Sequence, residues 1–206
     1  MKRLDKISVI GLGYVGLPLA VEFSKIFNTI GFDINQKRVD ELNSGFDATK
    51  EVDSEELTKV LNKNQDNYLK ISNNIENILD SNYYIITVPT PIDHNKKPNL
   101  KPLLSASESI GKILKKGDTV IYESTVYPGA TEEECVPILE KYSKLDYIKD
   151  FNVGYSPERI NPGDKYRKLK NIIKITSGSC ENSAKSIDNL YNKIITAGTY
   201  LAPSIK

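Results

Sequence analysis

A short apolar segment, residues 7–10, leads directly into the pattern Gly-x-Gly-x-x-Gly, whose glycines are Gly11, Gly13 and Gly16. The first glycine permits a tight turn, the second lets the backbone approach a ligand closely, and the third lets the following helix pack against the strand. The unpaired N–H groups at the start of that helix favour a bound anion. The pattern therefore predicts a strand, a turn and a helix that together bind the phosphates of a dinucleotide.

An acid at the end of the next apolar segment refines this prediction. Asp33 closes residues 29–33 and stands twenty-two positions after Gly11. A carboxylate there can accept hydrogen bonds from both ribose hydroxyls of an adenosine, and it would repel a 2′-phosphate. We therefore expect NAD rather than NADP. The alternative, a glycine turn that binds nothing, is disfavoured because strand, helix and acid occur together at the right spacing.

Composition excludes several classes of function. The formal net charge of +1 lacks the basic excess that a nucleic-acid surface needs. No apolar run is as long as a membrane span, and the first residues lack the apolar core of a signal peptide, so we expect no membrane association. Two cysteines, Cys135 and Cys180, and one histidine, His94, provide neither a zinc site nor a disulfide framework, and this cysteine usage indicates a reducing, cytoplasmic location.

Predicted strands and helices alternate along the chain. This order is typical of an α/β protein with a doubly wound, mostly parallel, Rossmann-like sheet and helices on both faces. Ligands are then expected beyond the carboxyl ends of the strands. The predicted strands cover residues 7–11, 29–33, 68–72, 83–88, 119–123, 151–155 and 172–176.

Polar side chains follow three of these strands at the expected ligand-binding edge. They lie in residues 88–91, 123–129 and 155–163. Hydroxyls at neighbouring strand ends can line the nicotinamide half of a cofactor crevice, and Glu158 beside Arg159 offers an acid or base next to an anion ligand. Taken singly, each residue is equally well explained as an ordinary loop residue or a solvated ion pair. Three such sets on consecutive strand ends favour a site.

Four segments of the chain resemble the UDP-glucose/GDP-mannose dehydrogenases. They are residues 11–18 (GLGYVGLP), 88–91 (VPTP), 123–129 (ESTVYPG) and 156–164 (SPERINPGD), and the resemblance extends over residues 6–206. The last segment is most similar to the UDP-N-acetylhexosamine 6-dehydrogenases of bacterial surface-polysaccharide synthesis, including the type that oxidises UDP-N-acetylglucosamine. The resemblance implies a four-electron oxidation at the sugar C6 to a uronic acid, with two NAD and a cysteine that traps the aldehyde.

The resemblance also assigns roles to individual residues. Glu158 and Thr125 correspond to catalytic positions, Glu158 being the carboxylate that assists water or proton transfer. Arg159 and Ile160, together with Glu158, correspond to positions that contact the nucleotide sugar. The positions that hold NAD are Gly11, Gly13, Tyr14, Val15, Gly16 and Asp33 for adenosine and pyrophosphate, Arg38 near the adenosine ribose, and Thr90 and Thr125 on the nicotinamide side. No metal ligand is implied.

The domain organisation is also inferred from the resemblance. Residues 1–200 correspond to the NAD-binding domain, and residues 201–206 to the start of a long connecting helix, with Pro203 in place of the usual acid. In the family the catalytic lysine, an asparagine, the nucleophilic cysteine and the UDP-binding domain lie further along. We therefore expect a chain without the C-terminal half that binds NAD but turns over little or no UDP-sugar. Full-length members are expected to form homodimers or larger assemblies.

The remaining candidates and alternatives are few. Cys135 and Cys180 match no nucleophile of the family and are predicted to be structural thiols, while His94 is predicted to be a solvated loop residue. Two other functions stay open at this point: a stand-alone nucleotide-binding module without catalysis, and a dehydrogenase of another substrate class. The sequence does not distinguish UDP-N-acetylglucosamine from its galacto and manno isomers or from UDP-glucose.

Overall fold

A computed structural model describes residues 5–64, 66–92, 98–159 and 169–206. Within these ranges eight strands form one sheet in the order β3-β2-β1-β4-β5-β6-β7-β8. The strands are β1 (Ile7–Ile10), β2 (Thr29–Phe32), β3 (Leu69–Ser72), β4 (Tyr83–Ile86), β5 (Thr119–Tyr122), β6 (Asn152–Tyr155), β7 (Lys174–Gly178) and β8 (Thr199–Leu201). The helices are α1 (Gly16–Ser24), α2 (Gln36–Asn43), α3 (Ser54–Val60), α4 (Lys101–Gly111), α5 (Val136–Ser143) and α6 (Glu181–Asn192).

Strands β1 to β6 are parallel, and their register aligns the carboxyl ends at one edge. Ile10, the last residue of β1, pairs with Phe32 of β2 on one side and with Ile86 of β4 on the other. The chain moves outward from β1 to β3 and then returns to place β4 beside β1. This reversal opens a crevice at the ends of β1 and β4, where open α/β sheets bind ligands. The predicted doubly wound, mostly parallel fold is confirmed.

Helices cover both faces of the sheet because its strands carry apolar side chains on both sides. Along β4, Ile85 joins the hydrophobic cluster under α1, α2, α3 and α6, whereas Tyr84 and Ile86 join the cluster under α4 and α5. Side chains alternate between the faces of a strand, so the central strands β1, β4 and β5 contribute to both cores. The sheet is thereby fixed from both sides, and its carboxyl edge is left for function.

The structure differs from the sequence prediction at several boundaries. β1 ends at Ile10 because Gly11 adopts a positive φ of 93°. β7 pairs antiparallel to β6, and β8 is an additional strand that pairs with β7. The resemblance implies the start of a connecting helix over residues 201–206, but Leu201 ends β8 and residues 202–206 follow it without a regular element. The domain boundary at residue 200 stays a prediction.

Two features are absent from the described ranges. None of their helices is long and apolar enough to cross a membrane. Nor do these ranges hold a group of three or more His, Cys, Asp or Glu side chains suited to a metal ion.

Candidate functional site

The glycine turn between β1 and α1 is built for close contact. A Cβ on Gly16 would lie 1.8 Å from the carbonyl oxygen of Gly11 and 2.4 Å from the hydroxyl of Thr87, so no other residue fits there. A Cβ on Gly13 would meet nothing within 4 Å. Gly16 is therefore required for the packing of the turn within the protein, while Gly13 leaves the outer side of the turn open to a ligand.

Thr87, which follows β4, holds this turn from the other side of the crevice. Its hydroxyl donates to the carbonyl oxygen of Gly11 at 2.6 Å and lies 3.0 Å from that of Ile10. The side chain is buried, so both contacts are shielded from water. Thr87 was not among the predicted site residues, although its position directly after a buried strand places it at the same edge.

The N-terminus of α1 points a positive dipole end at the crevice. Val15 stands at the N-cap position without a side-chain cap, and the first turn contains no acidic residue. Side-chain caps normally satisfy the free N–H groups of a helix start, so these groups are left for another acceptor. Tyr14, half exposed on the turn, borders the same region. This arrangement fits a pyrophosphate.

Asp33 lies beside the glycine turn, as the sequence predicts for a ribose ligand. One carboxylate oxygen accepts the N–H of Leu12 at 2.8 Å, and the other accepts the N–H of Asn35 at 2.9 Å. A carboxylate offers about four acceptor positions, so two hydrogen bonds leave room for ribose hydroxyls. The carboxylate therefore joins the turn to the end of β2 and is held in a fixed orientation.

Arg38 lies behind the turn rather than on the surface. Its Nε donates to the carbonyl oxygen of Leu12 at 2.9 Å, and its Nη2 donates to Asp47 at 2.7 Å. The peptide groups at Leu12 are thus held by Asp33 on one side and by Arg38 on the other. Burial opposes ionisation of Asp47, but hydrogen bonds from Thr49, the Val52 N–H and Arg38 prevail and lower its pKa. The role of Arg38 near the adenosine ribose stays a prediction.

Two predicted residues of the nicotinamide side are brought together. The hydroxyl of Thr90, after β4, donates to the carbonyl oxygen of Thr125, after β5, at 2.6 Å. A second hydrogen bond joins the same two loops in the opposite direction: the hydroxyl of Ser124 donates to the carbonyl oxygen of Val88 at 2.6 Å. These bonds join the two loops into one wall of the crevice. The sequence analysis did not single out Ser124.

Glu158 and Arg159 follow β6 at the same edge. The backbone N–H of Arg159 donates to the carboxylate of Glu158 at 2.6 Å, which fixes the half-buried carboxylate against its own loop. The side chain of Arg159 is exposed and available to an anion. Ile160 and His94 lie outside the described residues.

A buried ionic cluster lies at the end of β5. The Nζ of Lys174 is 2.5 Å from one carboxylate oxygen of Glu123, and the hydroxyl of Tyr191 donates to the other. All three side chains are almost completely buried. Burial, then the charge of Glu123 and its hydrogen bond, raise the pKa of Tyr191 well above its usual value. The helical pattern of residues 183–195 predicts Tyr191 only as a residue of the apolar face, and no local pattern marked Lys174.

The two cysteines are held in structural positions. Burial raises the pKa of Cys135 to about 11, which keeps this thiol protonated. Cys180 is the N-cap residue of α6 and exchanges hydrogen bonds with Ser183, and these bonds lower its pKa. Their prediction as structural thiols agrees with these contacts.

Comparison with known proteins gives a consistent result. Residues 5–195 match the model of the NAD binding domain of the UDP-glucose/GDP-mannose dehydrogenase family. The whole chain aligns with 47% of the length of a UDP-N-acetyl-D-glucosamine 6-dehydrogenase of Pseudomonas aeruginosa, and 58% of the aligned residues are identical. A protein of the same name from Salmonella typhi is also 58% identical, in an alignment that covers 98% of this chain and 46% of that protein.

A solved structure shares the fold. It is a UDP-D-ManNAc dehydrogenase from Pyrococcus horikoshii, similar with a TM-score of 0.87 and 32% identity over 97% of this chain and 47% of that one. The chain thus spans about half the length of the curated relatives it matches.

Proposed function

The chain belongs to the UDP-glucose/GDP-mannose dehydrogenase family, and from that premise we propose that it forms the NAD-binding part of a UDP-N-acetylhexosamine 6-dehydrogenase. The single observation that carries the proposal is the arrangement of the glycine turn, the uncapped start of α1 and Asp33 around one crevice. UDP-N-acetylglucosamine is the proposed sugar nucleotide, because two relatives at 58% identity are named for it.

The residues present fit NAD. In the proposed complex the N–H groups of residues 13–16 and the dipole of α1 hold the pyrophosphate, and the open side of Gly13 admits it. Asp33 accepts the ribose hydroxyls and repels a 2′-phosphate, which gives the preference for NAD. When bound, NAD supplies the acceptor for a hydride removed from the sugar C6.

The proposed catalytic residues lie around the nicotinamide end of the crevice. The wall formed by Thr90 and Thr125 orients the ring and excludes water from one side. The half-buried Glu158 holds or moves a proton, or directs a water molecule. Arg159, exposed beside it, attracts the diphosphate of the sugar nucleotide, and Ile160 is proposed to contact the same substrate.

This chain is proposed to bind NAD without sustained turnover. The second oxidation in this family needs a thiolate that traps the aldehyde. Cys135 is buried and protonated, and Cys180 lies beside Asn152 at the start of β6, at the opposite edge of the sheet from Glu158, so neither supplies a thiolate at the site. We likewise propose that the full-length protein acts on a UDP-N-acetylhexosamine, forms homodimers or larger oligomers, and is cytoplasmic.

Calorimetry with NAD and absorbance of NADH in the presence of UDP-N-acetylglucosamine test the proposal together. We expect NAD binding without sustained NADH formation. Asp33→Asn should weaken NAD binding about tenfold or more, because an amide loses one acceptor and the charge. Asp40→Asn is the matched control, since Asp40 is an exposed acid on α2 whose side chain bonds only Gln36 among the described contacts.

Each result has a distinct meaning. If the unaltered chain bound no NAD, the proposed function would be wrong. If it formed NADH continuously from the sugar nucleotide, a nucleophile and base would have to exist within these residues, and the proposed lack of turnover would be wrong.

A further inference from the structure

The buried cluster of Glu123, Lys174 and Tyr191 joins three separate elements at the functional edge of the sheet. Glu123 directly follows β5, Lys174 begins β7, and Tyr191 lies on α6. The lysine ammonium and the tyrosine hydroxyl contact different oxygens of the carboxylate. The Nζ of Lys174 also lies 5.9 Å from the centre of the Tyr191 ring. The cluster is therefore closed, each polar group facing another member.

Stability alone does not account well for such a cluster. Removing two charges from water is costly, and buried ion pairs are often replaceable by apolar side chains without loss of stability. What a buried, fully bonded carboxylate does provide is a fixed position for its own backbone. That backbone continues directly into Ser124 and Thr125.

Hydrogen bonds join the two residues after Glu123 to the loop after β4, which forms the other part of the crevice wall. The next residue, Ser124, donates to the carbonyl oxygen of Val88, and the carbonyl oxygen of Thr125 accepts from Thr90. A displacement of Glu123 would therefore move the segment predicted to line the nicotinamide.

Tyr191 connects this wall to the other half of the proposed cofactor site. Its ring packs edge-on against Phe23 of α1, with 5.6 Å between ring centres. Its hydroxyl, on the opposite side, donates to Glu123. The charge of Glu158 adds to the raised pKa of Tyr191, after the larger effects of burial and Glu123. Tyr191 thus joins α1, the helix that begins at the pyrophosphate turn, to Glu123 at the end of β5.

We propose that Glu123, Lys174 and Tyr191 are positioning residues that hold the segment Ser124–Thr125 against the nicotinamide ring of bound NAD. This inference rests on the proposed function and deepens it. The three side chains touch neither adenosine nor pyrophosphate in this proposal. They therefore contribute to binding of the nicotinamide half and leave binding of the ADP-ribose half unchanged.

The test compares two ligands that differ only in that half. Affinities of the chain for ADP-ribose and for NADH are measured by calorimetry. The dissociation constant for ADP-ribose divided by that for NADH reports the contribution of the nicotinamide half. Tyr191→Phe should weaken NADH binding about tenfold, on the scale of a hydrogen bond to a charged group, and change ADP-ribose binding less than about twofold. Glu123→Gln should lower the same ratio.

The chain offers a matched control in Tyr122. It is the residue before Glu123, is equally buried, and shares a hydrogen bond with the hydroxyl of Ser107 among the side chains of the opposite core. Tyr122→Phe removes a buried hydroxyl of the same kind next to the cluster but outside it. We expect this variant to keep the ratio of the unaltered chain, whatever its effect on thermal stability.

The outcomes separate a positioning role from a structural one. A selective loss of NADH affinity in both cluster variants, with the control unchanged, supports the inference. Equal losses for both ligands, no loss, or the same ratio change in Tyr122→Phe would overturn it. If the unaltered chain bound neither ligand, the proposed function itself would fail and this inference with it.

Discussion

At the residue scale, the glycines of one turn have different tasks. Gly16 is required by the protein, because a side chain would overlap the carbonyl oxygen of Gly11 and the hydroxyl of Thr87. Gly13 is not required by any neighbouring protein atom. In the proposed complex it is required by the ligand. A single motif thus combines a packing constraint with a binding constraint, and substitutions separate the two.

Alanine substitutions at these two positions should behave differently. Gly16→Ala should lower the free energy of unfolding by about 1–3 kcal/mol, since the turn must shift to admit the methyl group, and NAD binding should be lost with it. Gly13→Ala should leave the unfolding midpoint nearly unchanged and still weaken NAD binding. Urea denaturation and calorimetry on both variants measure this. A normal NAD affinity in Gly13→Ala would contradict the proposed approach of the pyrophosphate.

At the element scale, the loop after α2 supports the glycine turn through one ion pair. Asp47 accepts the N–H groups of Thr49, Glu51 and Val52, so its loop folds around the carboxylate. The same carboxylate binds Arg38, whose Nε holds the carbonyl oxygen of Leu12. The loop is therefore connected to the glycine turn through the buried guanidinium of Arg38.

The Asp47→Asn variant should reveal this support through pH. The hydrogen bonds keep the pKa of Asp47 in the folded chain below its ordinary value of 3.8. A lowered pKa stabilises the folded state above the ordinary value, and this stabilisation is lost as the pH falls through the lowered one. At pH 7 the variant should lose about 3 kcal/mol, because the buried Arg38 guanidinium then keeps only the more distant carboxylate of Glu41, 3.8 Å away, as an ionic partner.

Denaturation at pH 7 and near pH 3 measures the effect. The difference between the unaltered chain and Asp47→Asn should shrink at the lower pH. Asp40→Asn serves as the control, since Asp40 is an exposed acid on α2 whose side chain bonds the uncharged Gln36 and no cation among the described contacts. A pH-independent difference at Asp47 would show that its charge is not what stabilises the loop.

The elements also show what the sequence could predict and what it could not. Thr90 and Thr125 were expected to meet because parallel strands end at one edge, and their hydrogen bond follows from that geometry. Lys174 and Tyr191 lie 51 and 68 positions from Glu123, and they meet it only through the packing of β7 and α6. Tertiary contacts of this kind leave no periodic pattern along the chain.

Local sequence patterns also could not predict the direction of β7 or the presence of the edge strand β8. The alternation of buried side chains in β7 does not depend on whether its neighbour runs parallel or antiparallel. The three residues of β8, largely exposed, are too few to show an alternation. By contrast, the glycine turn and Asp33 were identified because each has a short-range chemical requirement at a fixed spacing.

At the scale of the whole molecule, the proposed site depends on both halves of the sheet. The turn after β1 is held by Asp33 after β2 on one side and by Thr87 after β4 on the other. The nicotinamide wall continues this line to β5. A ligand spanning the crevice contacts elements on both sides of the reversal in strand order. Its binding energy should therefore stabilise the whole cooperative unit rather than one loop.

Denaturation in the presence of NAD tests this coupling. At a free concentration one hundred times the dissociation constant, a ligand bound only by the folded state adds about 2.7 kcal/mol to the free energy of unfolding. We expect that full increment for NAD, accompanied by slower hydrogen exchange in β1, β4 and β5. Asp33→Asn, assayed at the same NAD concentration, should show a smaller increment in proportion to its weaker binding. Slower exchange confined to the glycine turn, without a shift of the unfolding transition, would mean that the two halves of the sheet open independently and that the crevice does not couple them.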